Sequence, residues 1–282
     1  MSGNIYWLAS YPKSGNTWLR ILLTNYLRNS DEPADINCLD TGPIASGRQI
    51  FDDNVGVEAS DLTQDEIERY RPYVYQKISE TAKSQIFIKV HDAYSFTPEG
   101  IPLLAPAASG GFVYLVRNPL EVCVSFAHHS ASTIEKTYKN MNNSDYAFVE
   151  RSDRLHNQFR QRLFSWSDHV NSFLDQPGLR LLLLRYEDML ADTERALTQV
   201  VEFAGLDYDP ERIRRAVQFS SFEKLQAQEV DKGFSEKSPR AKSFFRKGRS
   251  DSWRSTLDTA TVEGIWQQHG DTMTRLGYSA GL

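Results

Sequence analysis

The sequence predicts an α/β fold in which a mostly parallel central sheet is flanked by helices, within a single domain spanning residues 1–282. Three observations carry this expectation. Short, near-continuous apolar runs recur at 5–9, 86–89, 112–116 and 179–185, as strands buried on both faces do. Helical patterns lie between or after them, the alternation a parallel sheet requires. A content of 40% hydrophobic and 12% aromatic residues in 282 positions is ample for one large core.

The first run, Ile5-Tyr6-Trp7-Leu8-Ala9, leads through Ser10-Tyr11 into a Pro12-Lys13-Ser14-Gly15 turn. That turn opens directly onto an amphipathic helix beginning at Asn16-Thr17-Trp18-Leu19. Such a segment is a phosphate cradle. The first backbone N–H groups of a helix lack internal partners and lie at the positive end of its dipole, so an anion there is stabilised. Gly15 permits close approach of the backbone, Lys13 adds a full charge, and Ser14, Asn16 and Thr17 offer side-chain hydrogen bonds. The common P-loop is excluded, because that signature places its lysine after the second glycine and here the lysine precedes the only one.

Residues 30–83 are acidic and read as an irregular insertion with a helix at 63–79, a candidate cover for a pocket. Within 31–70 there are eleven Asp or Glu against two Arg. The run at 86–89 then delivers Lys89 and His91, with Asp92 following. Side chains alternate along a strand, so Lys89 and His91 share a side, and the carboxyl ends of strands in open parallel sheets face the ligand crevice. A lysine there can stabilise charge and a histidine can accept a proton.

The run at 112–116 ends in Arg117-Asn118-Pro119, and a helix follows that carries Ser125 two turns beyond Arg117. A guanidinium fixed at that junction suits a phosphate, or equally a carboxylate. Residues 131–150 are polar and Asn-rich and read as a loop. Leu155, Phe159, Leu163, Trp166, Val170 and Phe173 recur at steps of three or four, predicting a helix over 155–174 with one core-facing stripe. Residues 227–252 lack a core period and read as a long mobile segment, in which Lys237, Arg240, Lys242, Arg246, Lys247 and Arg249 fall within thirteen residues containing no acid, either a solvated face or a lid over a polyanion. No internal repeat is present.

The net charge of −5 argues against a general nucleic-acid binder. Cys38 and Cys123 are the only cysteines and belong to no metal-type pair, which fits a reducing interior. With no signal-like N-terminus and no span-length apolar run, a cytoplasmic protein is expected. His128, His129, His156, His169 and His269 read as structural or surface residues, and no metal site is expected.

Taken together, these segments resemble the soluble sulfotransferases that use 3′-phosphoadenosine 5′-phosphosulfate (PAPS) as donor. The opening loop is similar to that family's 5′-phosphosulfate loop, usually Tyr-Pro-Lys-Ser-Gly-Thr-Thr-Trp, here with Asn16 for the first Thr. Val116-Arg117-Asn118-Pro119 with Ser125 resembles its 3′-phosphate strand and helix, including the Arg-to-Ser spacing of eight. Lys89-x-His91 falls at its Lys-Thr/Ser-His. Leu184-Arg185-Tyr186-Glu187-Asp188 resembles its Tyr-Glu-Asp strand end, and Arg246-Lys247-Gly248 with Trp253 its late Arg-Lys-Gly motif. The matches run in order from residue 5 to about 253.

The resemblance implies a P-loop-like PAPS-binding strand-loop-helix and a set of roles. Lys13 would neutralise charge on the leaving 5′-phosphate, held by the amides of Ser14, Gly15, Asn16, Thr17 and Trp18 and the Thr17 hydroxyl. Trp18 and Phe222 would flank the adenine, with Tyr186 nearby. Arg117, Ser125, Arg246, Lys247 and Gly248 would bind the 3′-phosphate. His91 would be the general base and Lys89 would stabilise the transferring sulfuryl group, with no metal involved. The acceptor would be a hydroxyl on a small or carrier-bound molecule. A nucleotide kinase is disfavoured by the displaced lysine, and a silent nucleotide-binding module would have no need of Lys89 and His91.

Besides Asn16, three further places depart from the family pattern. Asp92 stands where Leu is common and could raise the basicity of His91 or alter the acceptor pocket. Asp251-Ser252-Trp253 replaces Gly-Asp-Trp, so that loop is expected to take another path. The family's dimer motif is only echoed at Thr261-Val262, which leaves the oligomeric state open.

Overall fold

A computed structural model describes residues 3–150, 155–239, 241, 243–245, 248 and 250–279. It divides into two compact units: one formed by residues up to Tyr11, Gly42–Tyr114 and Asn143–Leu183, the other by Pro12–Thr41, Leu115–Asn142 and the chain from Leu184 onward.

The first unit is built on the sheet. It holds β1 (Ile5–Ser10), β2 (Ile86–Val90), most of β3 (Ser109–Val116) and the start of β6 (Leu181–Arg185), and the strand order is β2-β1-β3-β6. The sheet is mostly parallel, and β1 and β2 run together from Ile5↔Ile86 to Ala9↔Val90. All six residues of β1 are buried, as expected of a strand covered on both faces. Helices α2 (Arg48–Val55), α3 (Gln64–Thr81) and α6 (Trp166–Leu174) complete this unit with a small antiparallel pair, β4 (Ala147–Phe148) and β5 (Gln161–Arg162). α3 sets Tyr75 edge-on against Trp7 of β1, at 5.0 Å between ring centres, and α6 lays Phe173 against Tyr114 of β3 at 4.7 Å.

The second unit is helical. It holds α1 (Asn16–Arg28), α4 (Pro119–Ser130), α5 (Ile134–Met141), α7 (Tyr186–Ala191), α8 (Thr193–Ala204), α9 (Pro210–Phe219), α10 (Phe222–Lys232) and α11 (Thr259–Arg275). α1 packs on α8 and α9, and α4 on α5 and α11. Among the described residues no helix is long and apolar enough to cross a membrane.

The four strands and the helix expected at 63–79 are present, the latter started by a capping box of Thr63 and Glu66. Other expectations need correction. The helix expected over 155–174 exists only from Trp166, because residues 159–163 are extended and include β5. Phe159, Gln161 and Leu163 are buried alternately, and Phe164 takes a left-handed φ of 58° just before Ser165 caps α6. A step of four residues satisfies a period of two as well as one of 3.6, so Phe159 and Leu163 alone could not separate strand from helix. The polar stretch 131–150 is not all loop, since Thr133 caps α5 there. Likewise residues 227–232 belong to α10.

Candidate functional site

The loop after β1 is shaped by two left-handed residues. Lys13 has φ 72°, which costs a side-chain-bearing residue energy, and Gly15 has φ 102°. A Cβ at Gly15 would come within 2.7 Å of the Tyr186 ring, so the close approach itself requires glycine. Gly15 is the N-cap of α1 and offers no side-chain cap. The Ser14 hydroxyl is fully buried and has no hydrogen-bond partner among the described residues. A buried orphan hydroxyl beside an uncapped helix start is an anion site in outline.

Around this loop the second unit gathers most of the residues singled out in its sequence. Arg117, at the end of β3, is almost fully buried and lies 4.2 Å from the centre of the Tyr186 ring. Its Nη1 donates to the Lys13 carbonyl oxygen at 3.3 Å and its Nη2 to Glu121 at 3.2 Å, so the carboxylate partner raised as an alternative from sequence is present. Glu121 also accepts the Trp253 backbone N–H at 2.9 Å, which ties the Asp251-Ser252-Trp253 segment to α4. Asn118 caps α4 through the Leu120 N–H, and its own N–H donates to Glu187. Burial raises the Tyr186 phenol above its ordinary range despite the nearby Arg117 charge.

Trp18 donates its indole N–H to the Ser220 carbonyl at 3.0 Å and meets Tyr186 edge-on at 5.9 Å. Phe222 closes on Gly248, whose φ is 56° and whose missing Cβ would come 2.8 Å from that ring. Both aromatics border a cluster of Ile21, Ile36, Leu225, Phe234 and Phe245. Ser125 lies half-buried on α4. Arg246 and Lys247 lie outside the described residues, as do Arg240, Lys242 and Arg249.

Two participants escaped the sequence reading. Glu236 accepts from the Thr17 hydroxyl at 3.2 Å and forms an ion pair with Arg20, whose Nε donates to Thr41. A carboxylate therefore sits on the first turn of α1. The signal was available: Glu236 is the one acid between Lys232 and Asp251 in an otherwise basic stretch. Phe244 carries the Lys13 ammonium over its ring, and the Phe244 and Phe245 amides are held by Glu229 of α10 at 2.7 and 2.9 Å.

The first unit carries the other expected pair. Lys89 is the fourth residue of β2, its carbonyl accepting from the Ala45 N–H at 2.8 Å, and His91 follows the strand directly. His91 Nδ1 lies 2.8 Å from the Ser10 carbonyl oxygen at the end of β1. A carbonyl can only accept, so Nδ1 carries the proton and Nε2 is the basic nitrogen of the neutral ring. Asp92 does not serve the imidazole. It is buried in a two-bond fork with Arg71 at 2.9 and 2.7 Å, and Arg71 Nε donates to Tyr75, whose hydroxyl reaches the Ala45 carbonyl. Burial works against the Arg71 charge, yet Asp92 and Tyr75 hold its pKa above the ordinary value. Burial pushes the Tyr75 phenol up to about 12.

The sequence matches the sulfotransferase domain family over residues 5–277. It is 26% identical to a flavonol 3-sulfotransferase of Flaveria bidentis over 93% of this chain and 79% of that one. It is 25% identical to cytosolic sulfotransferase 12 of Arabidopsis thaliana over 92% of this chain and 74% of that one. The fold is similar to that of a mouse sulfotransferase complexed with 3′-phosphoadenosine 5′-phosphate (PAP), with a TM-score of 0.62 at 18% identity over 96% of this chain and 84% of that one.

Proposed function

The chain belongs to the sulfotransferase domain family and is a sulfuryl-transfer enzyme, and from that premise we propose that it takes its sulfuryl group from PAPS and passes it to an acceptor hydroxyl. The observation that carries the choice of donor is the loop itself: a left-handed Lys13, a glycine that admits no Cβ, and a buried Ser14 hydroxyl without a partner among the described residues. Those groups fit a 5′-phosphate, and the PAP held by a structural neighbour supports the same reading.

In this proposal the chain positions the reactants and stabilises charge, as phosphoryl-transfer enzymes do. His91 takes the acceptor hydroxyl proton on Nε2 while its Nδ1–H stays on the Ser10 carbonyl. The acceptor oxygen bonds to sulfur as the bond from sulfur to the bridging oxygen breaks, and the electron pair stays on the 5′-phosphate. Lys13 neutralises that developing charge, and Lys89 neutralises the charge on the sulfuryl oxygens. Arg117, Ser125, Arg246, Lys247 and Gly248 bind the 3′-phosphate, with Trp18, Phe222 and Tyr186 around the adenine. The acceptor is a small or carrier-bound molecule, residues 30–83 and 131–150 supply its pocket, and the setting is cytoplasmic.

The test is transfer of labelled sulfate from PAPS to a panel of phenols, alcohols and carrier-bound hydroxyls, run with and without chelator. Labelled product with PAPS supports the reading. Absence of product across the panel together with failure to bind PAP overturns it.

A further inference from the structure

His91 is constrained from two sides, and the second constraint comes from a residue that the mechanism above does not use. The His91 main-chain carbonyl lies one residue past β2, where the strand ladder has ended. His169 of α6 reaches it, with Nε2 3.0 Å from the carbonyl oxygen. Because that oxygen can only accept, Nε2 of His169 carries a proton. Its other nitrogen, Nδ1, lies 2.8 Å from the hydroxyl of Tyr114 on β3. A neutral ring protonated on Nε2 has its lone pair on Nδ1, so the Tyr114 O–H donates there.

The ring is clamped as well as bonded. His169 is fully buried, meets Tyr11 edge-on at 5.3 Å, and lies 5.8 Å from the centre of Phe173. Tyr114 is fully buried and packs on Phe173 at 4.7 Å. Burial lowers the His169 pKa to about 4, so the ring stays neutral across the working range and the direction of both bonds is fixed.

We propose that His169 is a positioning residue for the base: the path Tyr114 O–H to His169 to the His91 carbonyl fixes the backbone from which the His91 ring reaches Ser10. The proposal rests on the assignment of His91 as base. Without the Tyr114 hydroxyl, the lone pair on His169 Nδ1 has lost its donor, and the ring keeps only one of the two hydrogen bonds that aim its Nε2–H at the His91 carbonyl. The main chain at His91 then shifts, the Nδ1–H bond to Ser10 is strained, and the single tautomer is lost.

The experiment uses His169→Leu, the milder Tyr114→Phe, His91→Ala and the double variant His91→Ala/His169→Leu, each checked for folding. Turnover and KM for PAPS are measured, and the ring ¹⁵N shifts of His91 are recorded. His169→Leu is expected to lower turnover about 10²-fold, the scale of a small misplacement of a reacting group, with KM for PAPS unchanged. The His91 signals in His169→Leu and Tyr114→Phe should report mixed tautomers. On the His91→Ala background, His169→Leu should lower turnover no further, since it acts through the missing ring. A wild-type His91 tautomer signature in both variants overturns the proposal, as does an independent, multiplicative loss in the double variant. If His91→Ala keeps full turnover, the base assignment itself falls, while the ¹⁵N signature still decides whether His169 sets the His91 ring.

Discussion

The ammonium of Lys13 lies 4.2 Å from the centre of the Phe244 ring. The pairing joins the loop before the first helix to the late basic segment, and it gives the lysine a partially desolvated, oriented position. In the proposed reaction its charge serves the point where the leaving phosphate gains electrons. Lys13→Met keeps the length and removes the charge. It is expected to lower single-turnover rates by about 10²–10³, with a smaller effect on PAP affinity. A loss below tenfold would remove Lys13 from the chemical step.

Glu236 makes a second prediction about the same loop. Its carboxylate accepts from Thr17 and pairs with Arg20, so it stands against any phosphate arriving at that turn. Glu236→Gln should tighten PAP binding several-fold by calorimetry. It should also lower the melting temperature, because Arg20 is buried and loses its counter-charge. Weaker PAP binding by the variant would show that the carboxylate supports the nucleotide rather than opposing it.

For the proposed base, His91→Ala should reduce turnover by roughly 10²–10⁴ and leave PAP affinity near that of the parent chain. Since Nδ1 is committed to Ser10, His91→Asn should not restore activity, whereas a small imidazole supplied in solution should do so in part. Unchanged turnover in His91→Ala removes this residue from the mechanism.

Gly15→Ala tests the shape of the cradle. The substitution meets a φ of 102° and the Tyr186 ring at 2.7 Å, and Tyr186 also carries Arg117 on its face. Backbone strain of this kind costs on the order of 1–3 kcal/mol. Thermal melts should show that loss, and binding of PAP should weaken with it. A variant with parental stability and parental affinity would contradict the close packing described.

His169 predicts an acid limit on stability. Its pKa falls from 6.5 to about 4 on folding, because burial penalises the charged ring. Between those values the unfolded chain binds the extra proton, so stability is complete above about pH 6.5 and declines as pH falls toward 4. The slope reaches at most ~1.4 kcal/mol per pH unit. His169→Gln should flatten this part of the curve in denaturant titrations. An unchanged slope would mean that the acid limit comes from other groups.

What could be read from sequence followed the range over which each feature is determined. The strand, loop and helix from Ile5 to Arg28 were legible because a continuous apolar run, Lys13, Gly15 and an amphipathic helix are all local. Glu236 was not, because it reaches Thr17 across 219 positions of chain, and standing as the one acid in a basic stretch marks it out without saying which residue it meets. Asp92 shows the same limit. Its place beside His91 suggested an influence on the imidazole, but Arg71, 21 positions earlier on α3, holds both of its oxygens. The extended stretch before α6 was misread because burial at Phe159 and Leu163 fits either period, and the deciding residue, buried Gln161, is polar.

The carboxylate on the first turn of α1 also changes what loading the enzyme means electrostatically. The loop does not wait as a bare cation; it already holds an anion of its own chain. In the proposed complex, binding PAP, with about four negative charges, is therefore partly an ion exchange, in which an arriving phosphate would release an internal carboxylate. Added salt competes with the phosphate and with Glu236 for the same groups, so the two effects offset each other. The affinity for PAP should then vary less steeply with ionic strength than its charge implies, and Glu236→Gln should make that dependence steeper.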